Sequence, residues 1–412
     1  MNYLDFMLAA QKMGEPRGIP SVCSTHPWVL KTAMCQMTGG YLLVEATCNQ
    51  VNQFGGYTGM TPAGFVSYVQ DIARENGFPL EKLILGGDHL GPSVWQNEPA
   101  ESAMQKSLDM VQAYTQVGFT KIHLDASMKL ADDVPGVLPL EIIARRAAQM
   151  ARVAEAAAPD ASQLRYVIGT EVPVPGGAQE HEDTVSVTKV EDARQTIEIT
   201  REAFLREGLS SAWERVIAMV VQPGVEFGDD FVLEYNSEAA KELSAFIETE
   251  PHLVYEAHST DYQTQAALQN LVRDHFAVLK VGPALTFAFR EAVFALANIE
   301  KELLPAEACS NIIQVLDDAA MRHPIHWKKY YHGNSKEQAF KRKYSLSDRI
   351  RYYWTDAGVQ SALDRLRENL GEHILPYSLL SQYVGNTNLS AAQVVEWKIN
   401  QVLKIYQSAC GK

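Results

Sequence analysis

The feature that most constrains the fold is a regular alternation of short apolar segments with helical stretches over roughly the first 280 residues. The stretch 100–117 shows helical spacing of its apolar residues, and Gly118 follows where a helix C-cap is expected. Eight strand and helix units predict a parallel (β/α)8 barrel, because an open dinucleotide-binding sheet would normally carry a GxGxxG turn after its first strand and this chain has none. The segments predicted as strands are Ile19–Cys23, Tyr41–Glu45, Leu83–Gly87, Lys121–Asp125, Tyr166–Glu171, Val216–Gln222, Leu253–His258 and Ala277–Val281.

Composition excludes several classes of protein. Of the 412 residues, 46% are hydrophobic and 21% are charged, which is typical of a folded globular chain. The formal net charge of −14 would repel nucleic-acid phosphates and anionic lipids, so we expect neither nucleic acid nor a membrane as a partner. No apolar run reaches about 18 residues and the amino terminus lacks a secretory signal pattern, so we expect a cytoplasmic protein. The five cysteines form no CxxC motif, which favours reduced thiols that pack in the core.

Past about residue 300 the alternation stops, so we expect a barrel over residues 1–300 and a mainly helical extension over residues 301–412. Between Arg322 and Arg351 the extension has nine Lys or Arg and two Asp or Glu, interleaved with tryptophan and tyrosine. One interpretation is that these aromatic residues pack against the barrel or against another subunit. The other is that the segment reaches over the barrel mouth, where Arg349 and Arg351 hold an anionic substrate.

Polar and ionisable residues crowd the carboxyl ends of the predicted strands, which in a barrel open onto the face where chemistry takes place. Two glycines and then an Asp-His pair follow one apolar strand in LILGGDHLGP, residues 83–92, and we expect these glycines to let the backbone approach a ligand closely. We interpret His89 as a ligand of a divalent metal ion and Asp88 as the group that moves a proton at the substrate. The alternative is a buried Asp-His hydrogen bond that only fixes the loop.

Two other strand ends add candidate acids. Glu171 opens a Pro- and Gly-rich loop and is a candidate catalytic residue or metal ligand, whereas we expect the acidic cluster at 181–183 in the same loop to be solvated. Asp125 ends the fourth predicted strand and is assigned to the catalytic site. His123 would point inward one layer deeper, and we interpret it as a core histidine.

The last two strands supply a second histidine and candidate phosphate-binding groups. Glu256 and His258 alternate onto one side of a strand, so His258 is a candidate metal ligand. Loops after the seventh and eighth strands of a barrel commonly bind phosphate, which assigns this role to Ser259, Thr260, Lys280 and Gly282. Lys280 could instead form a Schiff base with a ketose. Substrate binding is also expected of polar residues at other strand ends: Asn49, Gln50 and Gln222.

Seven strings in the sequence, taken together, resemble one family. They are EATCNQVNQFGGYTGM at 45–60, GGDHLGP at 86–92, HLDASM at 123–128, TEVPVPGG at 170–177, YEAHSTDYQT at 255–264, KVGPALTF at 280–287 and YSLSDRIRYYW at 344–354. The family is the Z-type, so-called non-catalytic, subunit of tagatose-1,6-bisphosphate aldolase, which takes part in galactitol and N-acetylgalactosamine catabolism. The strings extend over nearly the whole chain and combine residues that have little general reason to occur together.

This resemblance implies a barrel related to the class II, zinc-dependent ketose-bisphosphate aldolases. It implies that the pair at 88–89 is similar to the acid/base aspartate and first zinc histidine of those enzymes, that Asp125 lies at their Asp-Gly-Ser, and that Glu171 belongs to a similar Glu…Gly-Gly loop. Catalytic members have a His-Gly at the end of the sixth strand. This chain has Gln-Pro-Gly at 222–224 instead, which leaves His258 as the candidate for a later zinc histidine.

The function that follows is an accessory subunit that supports and stabilises a separate catalytic class II aldolase subunit. A ketose phosphate is the expected ligand and a divalent metal ion, zinc by resemblance, the expected cofactor, and homo-oligomer formation is left open. The alternative is a self-sufficient metal-dependent C4 epimerase acting on a ketose or its phosphate, in which Asp88 carries the proton.

Overall fold

Eight parallel β-strands close into a barrel in the computed structural model, which describes residues 2–37, 39–169 and 185–411. Each strand pairs with its neighbours in the sequence, and the first pairs with the last. The strands overlap the eight predicted segments one for one, so the predicted (β/α)8 barrel is confirmed. They are β1 (Ile19–Val22), β2 (Leu42–Thr47), β3 (Leu83–Leu90), β4 (Lys121–Leu124), β5 (Arg165–Gly169), β6 (Val216–Val220), β7 (Val254–Ala257) and β8 (Phe276–Val281).

Helices surround the barrel and make up most of the region that follows it. In the described ranges they are α1 (Tyr3–Lys12), α2 (Pro27–Gln36), α3 (Pro62–Glu75), α4 (Ala100–Gln116), α5 (Leu140–Ala157), α6 (Val190–Arg206), α7 (Ser210–Trp213), α8 (Lys241–Glu248), α9 (Gln265–Arg273), α10 (Pro283–Leu303), α11 (Ile312–Arg322), α12 (Ser335–Tyr344), α13 (Ala357–Leu370), α14 (Tyr377–Tyr383) and α15 (Ala391–Ala409). Short 3₁₀ helices lie at Gly56–Thr58, Leu80–Lys82, Pro92–Trp95, Ala161–Gln163, Pro324–His326 and Arg349–Tyr353, and an antiparallel ribbon pairs Glu226–Phe227 with Val232–Leu233. None of these helices is both long enough and apolar enough to cross a membrane.

Helix α1 closes the amino-terminal end of the barrel. Its residues Leu4 and Met7 are fully buried and pack in one apolar cluster with strand residues such as Ile19, Leu43 and Val167. Because side chains alternate along a strand, Leu43 faces the same side of β2 as Glu45, two residues nearer the opposite end. The barrel interior is therefore apolar at its closed end and becomes ionic toward its open end.

The extension packs back onto the barrel. Helix α15 lies against α2, α9 and α10, and its residues Ile399 and Leu403 are buried. Asp348 precedes the 3₁₀ helix Arg349–Tyr353, and its Oδ2 accepts a hydrogen bond from Thr286 of α10 at 2.5 Å. This contact ties the 3₁₀ helix to the helix that follows the last barrel strand.

Candidate functional site

The open end of the barrel leads into a cavity of about 620 Å³. Its walls come from the ends of the strands, from the loops that follow them, and from the extension. Residues far apart in the sequence therefore meet at this cavity, as the barrel prediction requires. The predicted site residues that line it are Asn49, Gln50, Asp88, His89, Asp125, His258, Ser259, Lys280, Gly282, Arg349 and Arg351.

Two predicted site residues are not in this set. Glu171 lies outside the described residues, as does the acidic cluster at 181–183. Gln222 does not line the cavity, because its side-chain oxygen accepts the backbone N–H groups of Gly224 at 2.8 Å and Val225 at 3.1 Å and closes the turn after β6. An acceptor held inside its own turn is not presented to a ligand, so the position of Gln222 does not support its predicted role in substrate binding.

The two glycines before Asp88 make room for side chains of the protein itself. A Cβ atom at Gly86 would lie 2.7 Å from Cγ of Glu45, and one at Gly87 would lie 2.5 Å from a methyl carbon of Leu90. Neither glycine is among the residues that line the cavity, so their approach to a ligand stays a prediction. Gly86 makes room for the Glu45 side chain of the neighbouring strand, and Gly87 makes room for Leu90.

An ionic layer of five buried residues lies in the barrel interior: Glu45, Asp88, Lys121, Glu256 and Lys280. The Lys121 ammonium lies 2.8 Å from Glu45 Oε1 and 2.6 Å from Glu256 Oε2. The Lys280 ammonium lies 2.8 Å from both Glu45 Oε2 and Asp88 Oδ1. It is also 3.3 Å from Glu256 Oε1. Each carboxylate of the layer thus has at least one ammonium partner, which burial of a charge requires.

Two residues of the ionic layer, Asp88 and Lys280, also line the cavity, and these contacts shift the pKa of each. Burial alone would lower the pKa of Lys280, but the carboxylates around it, Asp88 foremost, raise that pKa well above its ordinary value. Burial alone would raise the pKa of Asp88, but the Lys280 ammonium and the nearby histidines hold it well below its ordinary value. Lys280 is therefore a permanent cation. A Schiff base at Lys280 needs a neutral amine, and the geometry does not support that alternative.

Asp88 leaves one of its oxygens available to a ligand. Its Oδ1 contacts the Lys280 ammonium at 2.8 Å and His123 Nδ1 at 2.9 Å. Within the part of the chain that the structure describes, its Oδ2 has only long contacts, 3.7 Å to His89 Nε2 and 3.9 Å to Cys23 Sγ. Because Asp88 lines the cavity, Oδ2 is the oxygen that could exchange a proton with a bound molecule.

His89 is paired with a carboxylate through one of its two ring nitrogens. Its Nδ1 lies 2.9 Å from Asp125 Oδ2. Burial alone would lower the pKa of His89, but Asp88 and Asp125 raise it above its ordinary value. His89 is not one of the residues whose ligand atoms converge in the structure, so its metal-binding role stays a prediction. Its backbone is left-handed, with φ 48°, as is that of Ser259 with φ 54°, a strain that is often found at functional sites.

A different set of residues meets the requirements of a metal site. Among the described residues, Asp88, His123, Glu256 and His258 each offer one ligand atom, and these atoms lie within 4.8 Å of one another. Burial lowers the pKa of His258 to about 3, which keeps its imidazole neutral. His123 Nε2 is buried and has no hydrogen-bond partner in the part of the chain that is described, as expected of a nitrogen that binds a ligand. This four-residue cluster could bind a metal ion.

The position of His123 changes the interpretation made from the sequence. The residue is fully buried, as expected of a core histidine, but it contacts Asp88 and belongs to the cluster. Its spacing from Asp125, two residues further on, was the available signal, because that spacing places both side chains on one side of the strand.

Charge determines how readily the cluster takes a cation. Two imidazoles and two carboxylates are donors of the type that Zn²⁺ accepts. The Lys280 ammonium, however, already neutralises Asp88 at 2.8 Å and Glu256 at 3.3 Å. A divalent ion at these residues therefore competes with Lys280 for the same carboxylates.

The predicted phosphate site at the start of α10 is occupied by a side chain of the protein. Asp261 is buried, and its Oδ1 accepts the N–H groups of Gly282 at 3.0 Å and Ala284 at 2.8 Å. These are the amides that would hold a phosphate at a helix N-terminus. Gly282 lines the cavity, but its amide is not free for the predicted role.

Comparison with known proteins agrees with this architecture. The chain matches the family model of D-tagatose-1,6-bisphosphate aldolase subunit GatZ/KbaZ-like proteins over residues 4–411. It is 50% identical to D-tagatose-1,6-bisphosphate aldolase subunit GatZ of Klebsiella pneumoniae subsp. pneumoniae and 48% identical to that of Salmonella gallinarum, and each alignment covers 98% of both chains.

Solved structures extend the comparison. A crystal structure of a probable tagatose 6 phosphate kinase from Sinorhizobium meliloti 1021 is similar with a TM-score of 0.88 and 44% identity, over 96% of this chain and 100% of that one. The fructuronate-tagaturonate epimerase UxaE from Cohnella laeviribosi has a TM-score of 0.54 and 10% identity, over 96% of this chain and 81% of that one. At that identity the likeness concerns the fold alone.

Proposed function

This chain belongs to the GatZ/KbaZ-like family of D-tagatose-1,6-bisphosphate aldolase subunits, and we propose that it supports and stabilises a separate catalytic class II subunit of that aldolase. The observation that carries the proposal is the match to GatZ proteins at about half identical residues along nearly the whole chain. The match includes the extension as well as the barrel, so it is not limited to the common fold.

Two features of the barrel's open end favour an accessory role over a complete aldolase site. The sixth strand is followed by Gln222, which closes its own turn and offers no imidazole. Oδ1 of Asp88 is held by the Lys280 ammonium, which also competes with a metal ion for the acidic ligands of the cluster. A chain that binds sugar and contributes to an assembly does not need a third zinc-binding histidine. Nor does it need a metal site that is free of competition from a lysine.

The cavity is suited to a ketose phosphate, and we assign it that ligand class. Asn49 and Gln50 line it, and the Asn49 amide could hydrogen-bond the hydroxyl groups of a sugar, whereas Gln50 Oε1 already accepts the Thr47 N–H at 2.9 Å. Asp125 is held by His89 and orients that imidazole in the cavity wall. For the four-residue cluster we propose zinc as the ion, because its two imidazoles and two carboxylates match the donors that this metal prefers.

Reconstitution with the purified catalytic subunit tests the accessory role. We expect the mixture to show higher tagatose-bisphosphate aldolase activity and slower heat inactivation than the catalytic subunit alone. Asp88→Asn serves as the matched variant, because a role in assembly should survive the loss of one carboxylate in the cavity. If the catalytic subunit is no more active and no more heat-resistant with this chain present, the proposal fails.

A second candidate is a metal-dependent C4 epimerase of a ketose or its phosphate. The observation that favours it is the available Oδ2 of Asp88 next to a cluster that could bind a metal. Exchange of a proton at a sugar carbon requires a carboxylate that can accept the proton and return it, and Asp88 borders the cavity.

The epimerase candidate is tested with the chain alone. Zinc-loaded protein is incubated with tagatose, fructose and their 6-phosphates, and interconversion is followed by chromatography. Epimerase activity predicts conversion that Asp88→Asn abolishes, and no conversion excludes this candidate. A further incubation with ATP tests the phosphoryl transfer suggested by the name of the Sinorhizobium relative.

A further inference from the structure

Most of the fixed charge that borders the cavity is already neutralised by the protein. Lys280 is surrounded by carboxylates, and the amides at the start of α10 are bonded to Asp261. Arg349 and Arg351 of the extension also line the cavity. Neither Arg349 nor Arg351 has a carboxylate oxygen within 4 Å among the described residues. Arg290, by contrast, pairs with Asp348 at 3.4 Å.

The guanidinium group of Arg349 is buried with most of its donors unused. The residue is only 3% exposed, and its Cζ lies 3.0 Å from the centre of the Tyr330 ring, which fixes the plane of the group. Its one side-chain hydrogen bond within the described ranges is a long one, from Nη1 to the His326 carbonyl at 3.4 Å. Its Nε is buried without a partner in those ranges. A buried cation with unpaired donors is costly unless a ligand completes its hydrogen bonds.

Arg351, unlike Arg349, donates several hydrogen bonds within the protein. Its Nη1 donates to the Ser347 and Asp348 carbonyls at 2.5 and 3.1 Å, and its Nη2 donates to Tyr352 Oη at 3.0 Å. A guanidinium has five N–H donors, so Nε–H and one Nη2–H remain without a hydrogen-bond partner among the described residues. These two donors can bind phosphate oxygens.

We propose that Arg349 and Arg351 form a phosphate-binding site that holds the phosphate group of a sugar phosphate in the cavity. The site replaces the helix N-terminus that barrels commonly use, because Asp261 has taken those amides. The unused donors of both arginines supply the hydrogen bonds, and their two positive charges balance the dianion. The proposal rests on the proposed function only for the identity of the sugar as a ketose.

Calorimetric titration of the full chain tests the site with three probes: inorganic phosphate, tagatose 6-phosphate and unphosphorylated tagatose. We expect the wild-type chain to bind inorganic phosphate and tagatose 6-phosphate. Arg349→Met should weaken both by about 10-fold or more and leave the affinity for tagatose unchanged, because it removes charge-assisted hydrogen bonds to phosphate alone. Arg349→Lys keeps the charge without the planar donor set and should give an intermediate loss.

Matched variants separate binding from folding. Arg367→Met removes an exposed arginine of the same extension and should change no affinity. Melting temperature and near-UV circular dichroism check that Arg349→Met is folded, and Arg351→Met provides an independent second measurement. Absence of phosphate binding by the wild-type chain, or equal phosphate affinity of folded Arg349→Met and the wild-type chain, overturns the proposal.

One outcome would reassign the arginines. If they receive an acidic side chain of the catalytic subunit, Arg349→Met weakens assembly and leaves phosphate affinity unchanged, and the phosphate site is refuted. The titration uses this chain alone, so a negative reconstitution experiment would end the accessory role without altering its result.

Discussion

One ammonium group, that of Lys280, dominates the electrostatics next to the cavity. It contacts three carboxylates, those of Glu45, Asp88 and Glu256, and is itself 5% exposed. Removing one lysine from such a network leaves buried carboxylates short of a counterion, because the complete layer already has only two ammonium groups for three carboxylates. Lys280 therefore performs part of the charge compensation that a metal ion would supply.

Replacing Lys280 with methionine should make the fold less stable and more dependent on metal. We expect the free energy of unfolding to fall by about 3–5 kcal/mol in the presence of a chelator. Added Zn²⁺ should restore part of the loss and bind more tightly than to the wild-type chain, because an ion that binds only the folded state stabilises it. Urea unfolding with and without zinc measures both effects.

The exposed Lys336 provides the control for that experiment, since Lys336→Met should change neither stability nor zinc affinity. If Lys280→Met unfolds at the same urea concentration with zinc as with chelator, the ammonium and the metal ion do not compete for one position.

Some residues at the barrel's open end could be predicted from the sequence and others could not. Asp88, His258 and Lys280 could be placed at the cavity because each follows or ends an apolar strand, and a barrel gathers strand ends. Lys121 could not, because its partners Glu45 and Glu256 come from other strands and only barrel closure brings them within 2.8 Å. Pairing across a closed sheet has no signature in local spacing.

At the scale of elements, the start of α10 could be predicted from the sequence, but the side chain that binds its amides could not. The sequence indicates a glycine-proline helix start after a barrel strand, and the usual inference is a phosphate site. The turn that carries Asp261 onto those amides includes Ser259 and Tyr262, both with left-handed backbones, φ 54° and 65°, which residue type alone would not predict. Helices and strands were thus predictable here, whereas the occupant of a helix end was not.

Asp261 makes the stability of the protein depend on pH. Burial raises its pKa to about 6, above the value of about 4 expected in the unfolded chain. The folded state therefore binds the proton more tightly, so the contribution of this group is greatest below about pH 4 and is lost as the pH rises through 6. Asn can accept the same N–H groups without charge, so Asp261→Asn should be more stable than the wild-type chain at pH 7 by about 2–3 kcal/mol.

Urea unfolding at pH 4, 5, 6 and 7 measures this difference, which should shrink toward zero at the acid end. A variant that is less stable than the wild-type chain at pH 7 would mean that the α10 amides favour the charged carboxylate more than burial opposes it.

The contact between α10 and the 3₁₀ helix Arg349–Tyr353 should control both stability and phosphate affinity. Thr286→Val keeps the shape of the side chain but removes its hydrogen bond to the buried carboxylate of Asp348. The backbone of Asp348 is left-handed, with φ 47°. We expect a loss of about 1–3 kcal/mol in the free energy of unfolding. Because Asp348 directly precedes Arg349, weaker binding of tagatose 6-phosphate should accompany the loss. Thr115→Val, which removes a hydroxyl bonded within α4, should lower stability without affecting that affinity.

At the scale of the whole molecule, the barrel and the extension are joined by the last helix. Tyr406 of α15 donates a hydrogen bond from its Oη to the Thr260 carbonyl at 2.7 Å, next to the loop that carries Asp261. The Gly18 N–H, just before β1, donates to the Cys410 carbonyl at 3.2 Å. The end of the described chain is therefore attached to both the first strand and the loop after β7.

This arrangement predicts that the barrel does not fold without α15. The buried residues Val394, Ile399 and Leu403 would each lose about 1.5–3 kcal/mol of apolar burial, and the surfaces of α2 and α9 that they cover would be exposed to water. That loss is comparable with the whole stability of a typical domain, about 5–15 kcal/mol. We expect chains ending at residue 303 or 390 to be insoluble or to lack near-UV circular dichroism, whereas the full chain unfolds in a single transition. Cooperative unfolding of the 1–303 chain would show instead that the barrel is an independent domain and the extension an addition to it.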